Sequence, residues 1–366
     1  MKKLVRKLLP VVLGLALLAP GATLAQSADW RALLQESTAL FFEGKFAGAT
    51  EVARKALEAA ESANGPRHPS VAAALNRLAE CYRVQGQNAA AEPLYRRSLE
   101  IRERTRGPQS AEAAQSLNNL ALLYSTEARY ADAEPFFKRA LEIRERVHGD
   151  AHPDVGMTLN GLADLYLEQG RIAEAEPLYR RSLAIWDKVR AADNPPPASV
   201  NQTLFSLVGL GAIARQRGDY EAAESLYKRA VELVDAARDR NHPLMARALG
   251  GLAAIYARKG EEQSAEVLYK RAIEILEDSF DRNHPRMAVL LYGLALVYEA
   301  RGQLVAAEAL LKRALEIRQK ALGPSHPDVA ETLERLAGVY AAAGKSVEAS
   351  AAKQRAAAIR AAQPKS

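Results

Sequence analysis

The sequence has almost no cysteine with which to hold a fold together. Cys81 is the single cysteine among 366 residues, so no disulfide can form within the chain and packing alone must stabilise the fold. Cys81 lies beside Ala79 and Tyr82 on a predicted helix. We expect it to be a small buried apolar residue there, and a reactive thiol is the alternative.

Long hydrophobic runs are missing as well. The apolar run 8–19 has twelve residues, fewer than the roughly twenty that span a bilayer. Four basic residues precede it, and Thr23-Leu24-Ala25, with small residues at its first and last positions, follows it as a cleavage site. This order is typical of a secretory signal peptide over residues 1–25, cut after Ala25. We therefore expect a periplasmic or secreted protein with no stable membrane insertion after cleavage. The alternative is that the segment is retained as an anchor.

The chain also lacks a large excess of one charge. It holds 50 Lys and Arg against 44 Asp and Glu, but four of the basic residues lie within residues 1–25. The mature chain would hold 46 basic against 44 acidic residues, a net charge of +2. Nucleic-acid binding depends on a basic stripe or face, so we expect no nucleic-acid partner.

Sequence motifs for catalysis are not found either. The sequence shows no phosphate-binding glycine loop, zinc motif or nucleophile elbow. His148 and His152 are close in sequence, but we identify no cysteine or carboxylate set in their loop that would complete a metal site. The sequence therefore predicts no catalytic residue, no cofactor and no metal.

What the sequence has in abundance is one repeated stretch. The segment 152–183, HPDVGMTLNGLADLYLEQGRIAEAEPLYRRSL, has close copies that begin with His-Pro at residues 68, 242, 284 and 326. The steps between copies are 84, 90, 42 and 42 residues, so the period is 42 with one insertion of six. A fixed period of this length predicts a solenoid.

Each copy predicts two helices. In the first, Leu159, Leu162, Ala163 and Tyr166 share one helical face. The second reads A-E-x-L-Y-[KR]-R-[AS]-L-E-[IL]. We interpret its basic pair as part of a solvated helix face, and a row of basic residues that binds a ligand is the alternative. The mature chain 26–366 then divides into eight units, around 29–63, 69–106, 111–148, 153–190, 198–239, 243–281, 285–322 and 327–362.

The His-Pro pairs mark the unit starts. Proline suits the first position of a helix and disfavours a helical conformation in the residue before it. Because the copies lie in different repeats, they cannot converge on one ion. We therefore predict helix starts at His68, His152, His242, His284 and His326.

Two features interrupt the regular pattern. Three prolines, Pro93, Pro135 and Pro177, fall inside second helices. Because proline has no backbone N–H to donate, we expect a bend in each helix there, whose role the sequence does not show. The insertion falls at 190–199, RAADNPPPAS, where three prolines favour an extended connection. We interpret it as a lengthened loop between repeats, with a hinge as the alternative.

The Leu, Ala, Tyr, Gly signature resembles the tetratricopeptide repeat over about residues 29–362. The 42-residue form, with A-E-P-L-Y-x-R-[AS]-L-E-I-R and H-P-D-V, resembles the kinesin-light-chain type. This resemblance implies an all-α fold, a right-handed α-solenoid of about eight antiparallel helix–turn–helix units. It also implies a concave groove, lined by the first helices, that binds extended peptides or a helix of a partner.

Candidate groove residues follow from that resemblance. An asparagine comes directly after the first marker leucine in three repeats, at Asn76, Asn118 and Asn160. The resemblance implies that asparagines at this position hold the backbone of a bound peptide. A side-chain amide both donates and accepts hydrogen bonds. The alternative is that asparagine is simply tolerated on an exposed helix surface. Further candidates are Arg83, Gln115, Asn119, Asp164 and Tyr292.

Glycines recur at one position inside the first helices, at Gly161, Gly209, Gly251 and Gly293. Each costs roughly 1 kcal/mol relative to alanine, so we expect a compensating reason. Close helix packing is the first explanation, and backbone access for a ligand is the second.

The sequence as a whole predicts an exported scaffold without catalysis that binds a protein or an extended peptide. The alternative is a helical-solenoid enzyme that processes the cell wall (peptidoglycan), or an accessory factor of an envelope assembly. The partner and the oligomeric state are not predicted.

Overall fold

The structure is a computed structural model that describes residues 29–196, 198–237, 243–279 and 285–362. Within these residues there are sixteen helices and no strand, which confirms the predicted all-α class. The predicted signal peptide lies outside the described residues. No helix of the described part is long and apolar enough to cross a membrane.

The helices alternate between the first and the second member of each repeat. They are α1 (Trp30–Phe42), α2 (Phe46–Asn64), α3 (Pro69–Val84), α4 (Asn88–Arg106), α5 (Ala111–Thr126), α6 (Tyr130–His148), α7 (Pro153–Glu168), α8 (Ile172–Arg190), α9 (Ala198–Gln216), α10 (Tyr220–Ala237), α11 (Pro243–Arg258), α12 (Glu262–Ser279), α13 (Pro285–Ala300), α14 (Leu304–Leu322), α15 (Pro327–Ala342) and α16 (Ser346–Ala361).

The chain divides into two compact units, residues 1–105 and residues 106–366. In unit 1, α1 packs on α2, and both helices contact α3. In unit 2, the two helices of each repeat pack on one another, and each second helix also contacts the first helix of the next repeat. The first helices α7, α9, α11 and α13 contact one another in turn. These contacts bring the first helices of successive repeats side by side.

The core follows the marker residues of the repeat. In α7, Leu159 and Ala163 are fully buried, and Leu162 and Tyr166 are nearly so. The small Ala163 leaves room for the neighbouring helix, since a larger side chain would separate the pair. A buried serine of the second helix adds a polar link, because Ser182 Oγ donates a hydrogen bond to the main-chain oxygen of Gly156 at 2.8 Å.

Histidine side chains cap the first helices. The Nδ1 atoms of His68, His152 and His326 accept hydrogen bonds from the backbone N–H two residues later, at 3.2, 3.1 and 3.2 Å. Proline occupies the first helical position after each of them. The predicted helix starts are confirmed at these three places, and the cap explains why histidine recurs there. His242 and His284 lie outside the described residues.

The recurring glycines inside the first helices face aromatic rings. A Cβ built on Gly161 would lie 2.6 Å from the Phe137 ring, too close for any side chain. The same collision recurs at Gly209 with Tyr179, at Gly251 with Tyr227 and at Gly293 with Tyr269. Close helix packing is therefore the reason for these glycines.

The insertion contributes both loop and helix. Helix α8 ends at Arg190 and α9 begins at Ala198, but α9 has 19 residues where α7 and α11 have 16. The inserted residues therefore lengthen the loop and also add about one turn to the start of α9. Pro93, Pro135 and Pro177 lie inside α4, α6 and α8, as their spacing predicts.

The basic pairs of the second helices are used in ion pairs. Lys138 in α6 reaches Glu134 at 2.6 Å, one turn earlier on the same helix. In five of these pairs the second member, at positions 97, 181, 229, 271 and 313, reaches back to an acidic residue of the preceding repeat, as Arg229 does to Asp187 at 2.6 Å. These contacts support the interpretation as a solvated, charge-balanced face.

Candidate functional site

Unit 2 contains a cavity of about 320 Å³ between its first helices. The residues that line it come from α7, α9, α11 and α13, together with the second helices α10 and α12. Its apolar lining includes Val208, Val289 and Leu290. Val289 is 62% exposed. The cavity therefore offers apolar surface to a ligand.

Three arginines lie at this cavity, and each comes from a different helix. Arg215 lies in the last turn of α9, Arg247 near the start of α11, and Arg286 in the first turn of α13. The surrounding protein atoms displace water from Arg286 and lower the pKa of its guanidinium, and the charge of Arg247 lowers it further. An anion placed among these side chains would relieve this repulsion.

Two carboxylates of α7 face the same arginines. The phenol of Tyr179 donates a hydrogen bond to Asp164 Oδ1 at 3.1 Å, and Arg247 Nη1 lies 3.9 Å from that oxygen. Displacement of water and the neighbouring Asp164 raise the pKa of Glu168, although Arg247 and Arg286 oppose that shift. Three guanidinium groups and two carboxylates leave the cavity with an excess of positive charge.

Two buried tyrosines form the floor of the cavity. Tyr227 and Tyr269 line it and are only 3% and 5% exposed. Burial raises the pKa of both phenols, that of Tyr269 to about 12, so each remains a neutral hydrogen-bonding group. The cavity thus combines planar cations, apolar walls and phenols, a combination suited to a carboxylate-bearing peptide.

The three predicted groove asparagines are buried rather than exposed. Asn160 Nδ2 donates to both oxygens of Gln202 at 3.0 Å, and its Oδ1 accepts from Ser206 Oγ at 2.7 Å. Its amide therefore ties α7 to α9. Asn118 is 2% exposed, and its Oδ1 has no hydrogen-bond partner. Asn76 belongs to unit 1 and is 8% exposed.

The other predicted residues are scattered. Asp164 lies beside the cavity of unit 2, close to Arg247. Tyr292 instead packs under Arg318, whose guanidinium lies 4.9 Å from the centre of the tyrosine ring. Gln115 is exposed on α5, Asn119 is half-buried on that helix, and Arg83 is half-buried in unit 1. Their role in holding a peptide stays a prediction.

Sequence reasoning did not find the three arginines. Val208 and Gly250 occupy the repeat position of the asparagines and do line the cavity. Arg215, Arg247 and Arg286, by contrast, occupy three different positions within the repeat. They meet only because the helices that carry them lie side by side. A search for basic residues on the first helices, rather than for a repeated column, is the signal that could have found them.

The comparisons with known proteins agree with the helical repeat. The sequence profile described as Tetratricopeptide repeat matches residues 31–104, 70–145, 112–188, 202–278 and 286–362. Among curated proteins, none matches the chain.

Several solved structures are similar to this chain. BtubC (BKLC) from P. vanneervenii is 24% identical with a TM-score of 0.51, over 66% of this chain and 94% of that chain. The quorum sensor NprR from B. thuringiensis, in its apo form, is 14% identical with a TM-score of 0.62, over 90% of this chain and 87% of that chain. A putative kinesin light chain of Podosopora anserina with nearly identical TPR-like repeats is 26% identical with a TM-score of 0.44, over 59% of this chain and 99% of that chain.

Proposed function

Since the chain belongs to the tetratricopeptide-repeat family, we propose that it is an exported, non-catalytic scaffold that binds a peptide or protein partner. The cavity of unit 2 is the observation that carries this proposal. It presents exposed apolar surface at Val289 and an excess of guanidinium groups over carboxylates. A concave site with apolar walls and a few converging polar groups is typical of a ligand-binding pocket.

The ligand that this cavity fits is an extended peptide with an acidic group. A guanidinium binds a carboxylate through two parallel hydrogen bonds, which fixes both its position and its orientation. Val208, Val289 and Leu290 would contact apolar side chains next to that acidic group. Asp164 and Glu168 would repel further acidic residues at the α7 side and so set the direction of the peptide.

Peptide binding can be tested by fluorescence anisotropy with a library of labelled extended peptides. We expect peptides with an Asp, a Glu or a free carboxyl terminus to bind better than their Gln or amidated counterparts. The double variant Arg247→Gln/Arg286→Gln should lower the affinity for acidic peptides at least tenfold, because it removes two of the three cations.

A matched control is Lys320→Gln, which removes an exposed cation of α14 far along the chain from the lining residues. It should leave binding unchanged. If acidic peptides bind no better than their neutral counterparts, or if the two variants have the same effect, the cavity is not the binding site.

Export is tested separately, by fractionating cells that express the full chain and sequencing the amino terminus of the mature protein. We expect a periplasmic or secreted product that begins at Gln26. A cytoplasmic product that still carries residues 1–25 would remove export from the proposal and leave the binding function standing.

One observation favours a second candidate function, an enzyme that processes the cell wall. Glu168, whose pKa is raised, lies one helical turn from Asp164, and two carboxyl groups in different environments are the usual machinery of glycoside hydrolysis. Release of soluble fragments from purified peptidoglycan, abolished by Glu168→Gln, would support it. No release by the wild-type protein would dismiss it.

A further inference from the structure

The loop between α6 and α7 gathers two histidines and an aspartate. His148 is the last residue of α6, His152 caps α7, and Asp154 lies in the first turn of α7. We propose that these three side chains form a binding site for a divalent transition-metal ion such as Zn²⁺. The site lies apart from the arginine cavity and does not depend on the proposed peptide binding.

The three ligand atoms already lie near one another. His148 Nε2 and His152 Nδ1 are each 3.8 Å from Asp154 Oδ2, and all three atoms lie within 4.8 Å of one another. Ligands about 2.0–2.1 Å from a tetrahedral zinc ion are roughly 3.4 Å apart. Small rotations of these side chains therefore bring the three atoms to coordination distance.

The backbone fixes this arrangement. Gly149 has a positive φ of 82° and ends α6, with its N–H bonded to the main-chain oxygen of Glu145 at 2.9 Å. The N–H of His152 then bonds to the oxygen of Gly149 at 3.2 Å. The two imidazole rings stack, with centroids 4.3 Å apart and an angle of 18° between the planes. The backbone of the loop is therefore already ordered before an ion binds, and binding has only the side chains to fix.

The equivalent loops of other repeats show that the fold does not require this cluster. The loop before α15 has the same cap and the same aspartate, His326 and Asp328, but Leu322 stands where His148 stands here. The loop before α3 has Asn64, His68 and Ser70 at the three positions. His148 is thus an addition to a loop that closes without it.

The ligand chemistry points to a borderline metal. Imidazole nitrogens favour Zn²⁺, Cu²⁺ and Ni²⁺ over Mg²⁺ and Ca²⁺, which require oxygen ligands. Two nitrogens and one carboxylate oxygen leave at least one position for water. Binding takes the Nδ1 lone pair that now caps α7, so the ion replaces the hydrogen bond from the Asp154 N–H.

The site can be tested by isothermal titration of the full chain with ZnCl₂ and, in parallel, with MgCl₂. We expect Zn²⁺ to bind and Mg²⁺ to give no heat. His148→Leu, which copies the residue at position 322, should lower the affinity for Zn²⁺ at least tenfold while the chain stays folded, because the loop before α15 closes with leucine there. Asp154→Ser, which copies Ser70, should have a similar effect.

A gain of binding gives the sharpest control. Leu322→His should complete the same triad with His326 and Asp328 and raise the number of Zn²⁺ ions bound by one. Co²⁺ should bind to the wild-type protein with visible absorption bands that His148→Leu removes. If the wild-type protein binds no Zn²⁺, or if it and His148→Leu bind with equal affinity, the proposal is wrong.

Discussion

At the scale of single residues, the turn between α5 and α6 holds the one non-glycine residue with a positive φ in the described part of the chain. Ala128 has a φ of 56°, where the equivalent Gly170 has 72°. A Cβ makes this left-handed conformation unfavourable by roughly 1–2 kcal/mol. The alanine therefore destabilises a turn that the other repeats close with glycine.

Replacing this alanine should stabilise the protein. We expect Ala128→Gly to raise the free energy of unfolding by about 1 kcal/mol, because part of the relieved strain is offset by the greater freedom of glycine in the unfolded chain. Urea denaturation followed by circular dichroism measures the effect. The reverse change at the equivalent turn, Gly170→Ala, should lower stability by a similar amount. A destabilised Ala128→Gly variant would contradict this account of the turn.

The glycine of α7 should tolerate no side chain. Gly161→Ala places a Cβ against the buried Phe137 ring, and we expect it to cost roughly 1–3 kcal/mol. Combined with Phe137→Leu, the loss should be smaller than the sum of the two single losses, since the smaller side chain makes room. Gly338→Ala in α15 meets open space and should instead stabilise by about 1 kcal/mol. Equal melting temperatures for the two alanine variants would contradict the prediction.

At the scale of helices, one glutamate of each second helix from α6 to α14 binds cations from its own repeat and from the next. Glu134 of α6 accepts hydrogen bonds from Arg171 Nη1 at 2.7 Å and from the Tyr166 phenol at 3.0 Å. Lys138 lies 2.6 Å away on the same helix. Arg171 first, and Lys138 and Tyr166 after it, hold the pKa of Glu134 at about 2.

This shift predicts a loss of stability in acid. A carboxyl whose pKa is lower in the folded than in the unfolded protein stabilises the fold at any pH above its unfolded pKa, which is near 4.5 here. That stabilisation is lost as the pH falls through the folded pKa of about 2. We therefore expect Glu134→Gln to reduce the loss of unfolding free energy between pH 5 and pH 2. Urea midpoints measured across that range test it. Glu142→Gln, at an exposed position of the same helix, should leave the slope unchanged.

The helices themselves were largely predictable from the sequence. Leu159, Leu162 and Tyr166 are spaced by three and four residues, which places them on one face of a helix. The fold buries that face. The detail that sequence reasoning missed is the histidine cap, because His152 Nδ1 accepts a hydrogen bond that depends on rotamer and tautomer. The division of the insertion between a loop and an extra turn of α9 was also missed, since proline spacing does not show where the next helix begins.

At the scale of the molecule, the cavity of unit 2 should respond to pH. Its carboxylates compete with an acidic ligand for Arg247 and Arg286, and Glu168 has a raised pKa. As the pH falls toward that pKa, Glu168 is protonated and the net positive charge of the cavity increases, while a peptide carboxylate, whose pKa is about 4, stays ionised.

Binding of an acidic peptide should therefore strengthen as the pH falls from 7 toward the raised pKa of Glu168. We expect an increase of a few-fold in affinity, measured by anisotropy at constant ionic strength. Glu168→Gln should bind more tightly at pH 7 and lose most of the pH dependence, because the amide cannot ionise. An unchanged pH profile in Glu168→Gln would show that another group titrates.

The site was less predictable than the fold, for a physical reason. A repeat pattern draws attention to residues that recur, and the recurring Asn118 and Asn160 proved to be buried between helices. Arg215, Arg247 and Arg286 each occur at a different position of their repeats, so no periodic signal marks them. Which side chains converge depends on the offset between adjacent helices, and that offset appears only in three dimensions.

The pairing of glycine with an aromatic ring restricts how the repeats can be rearranged. Within unit 2, Phe137, Tyr179, Tyr227 and Tyr269 each project from a second helix onto a glycine of the next first helix. Where the second helix carries Leu311 at this position, the next first helix carries Arg335 rather than glycine. A shuffled chain that placed α15 directly after α12 would set Arg335 against Tyr269, whose ring would have to move to make room for a side chain there. The order of these modules is therefore part of the information that specifies the fold.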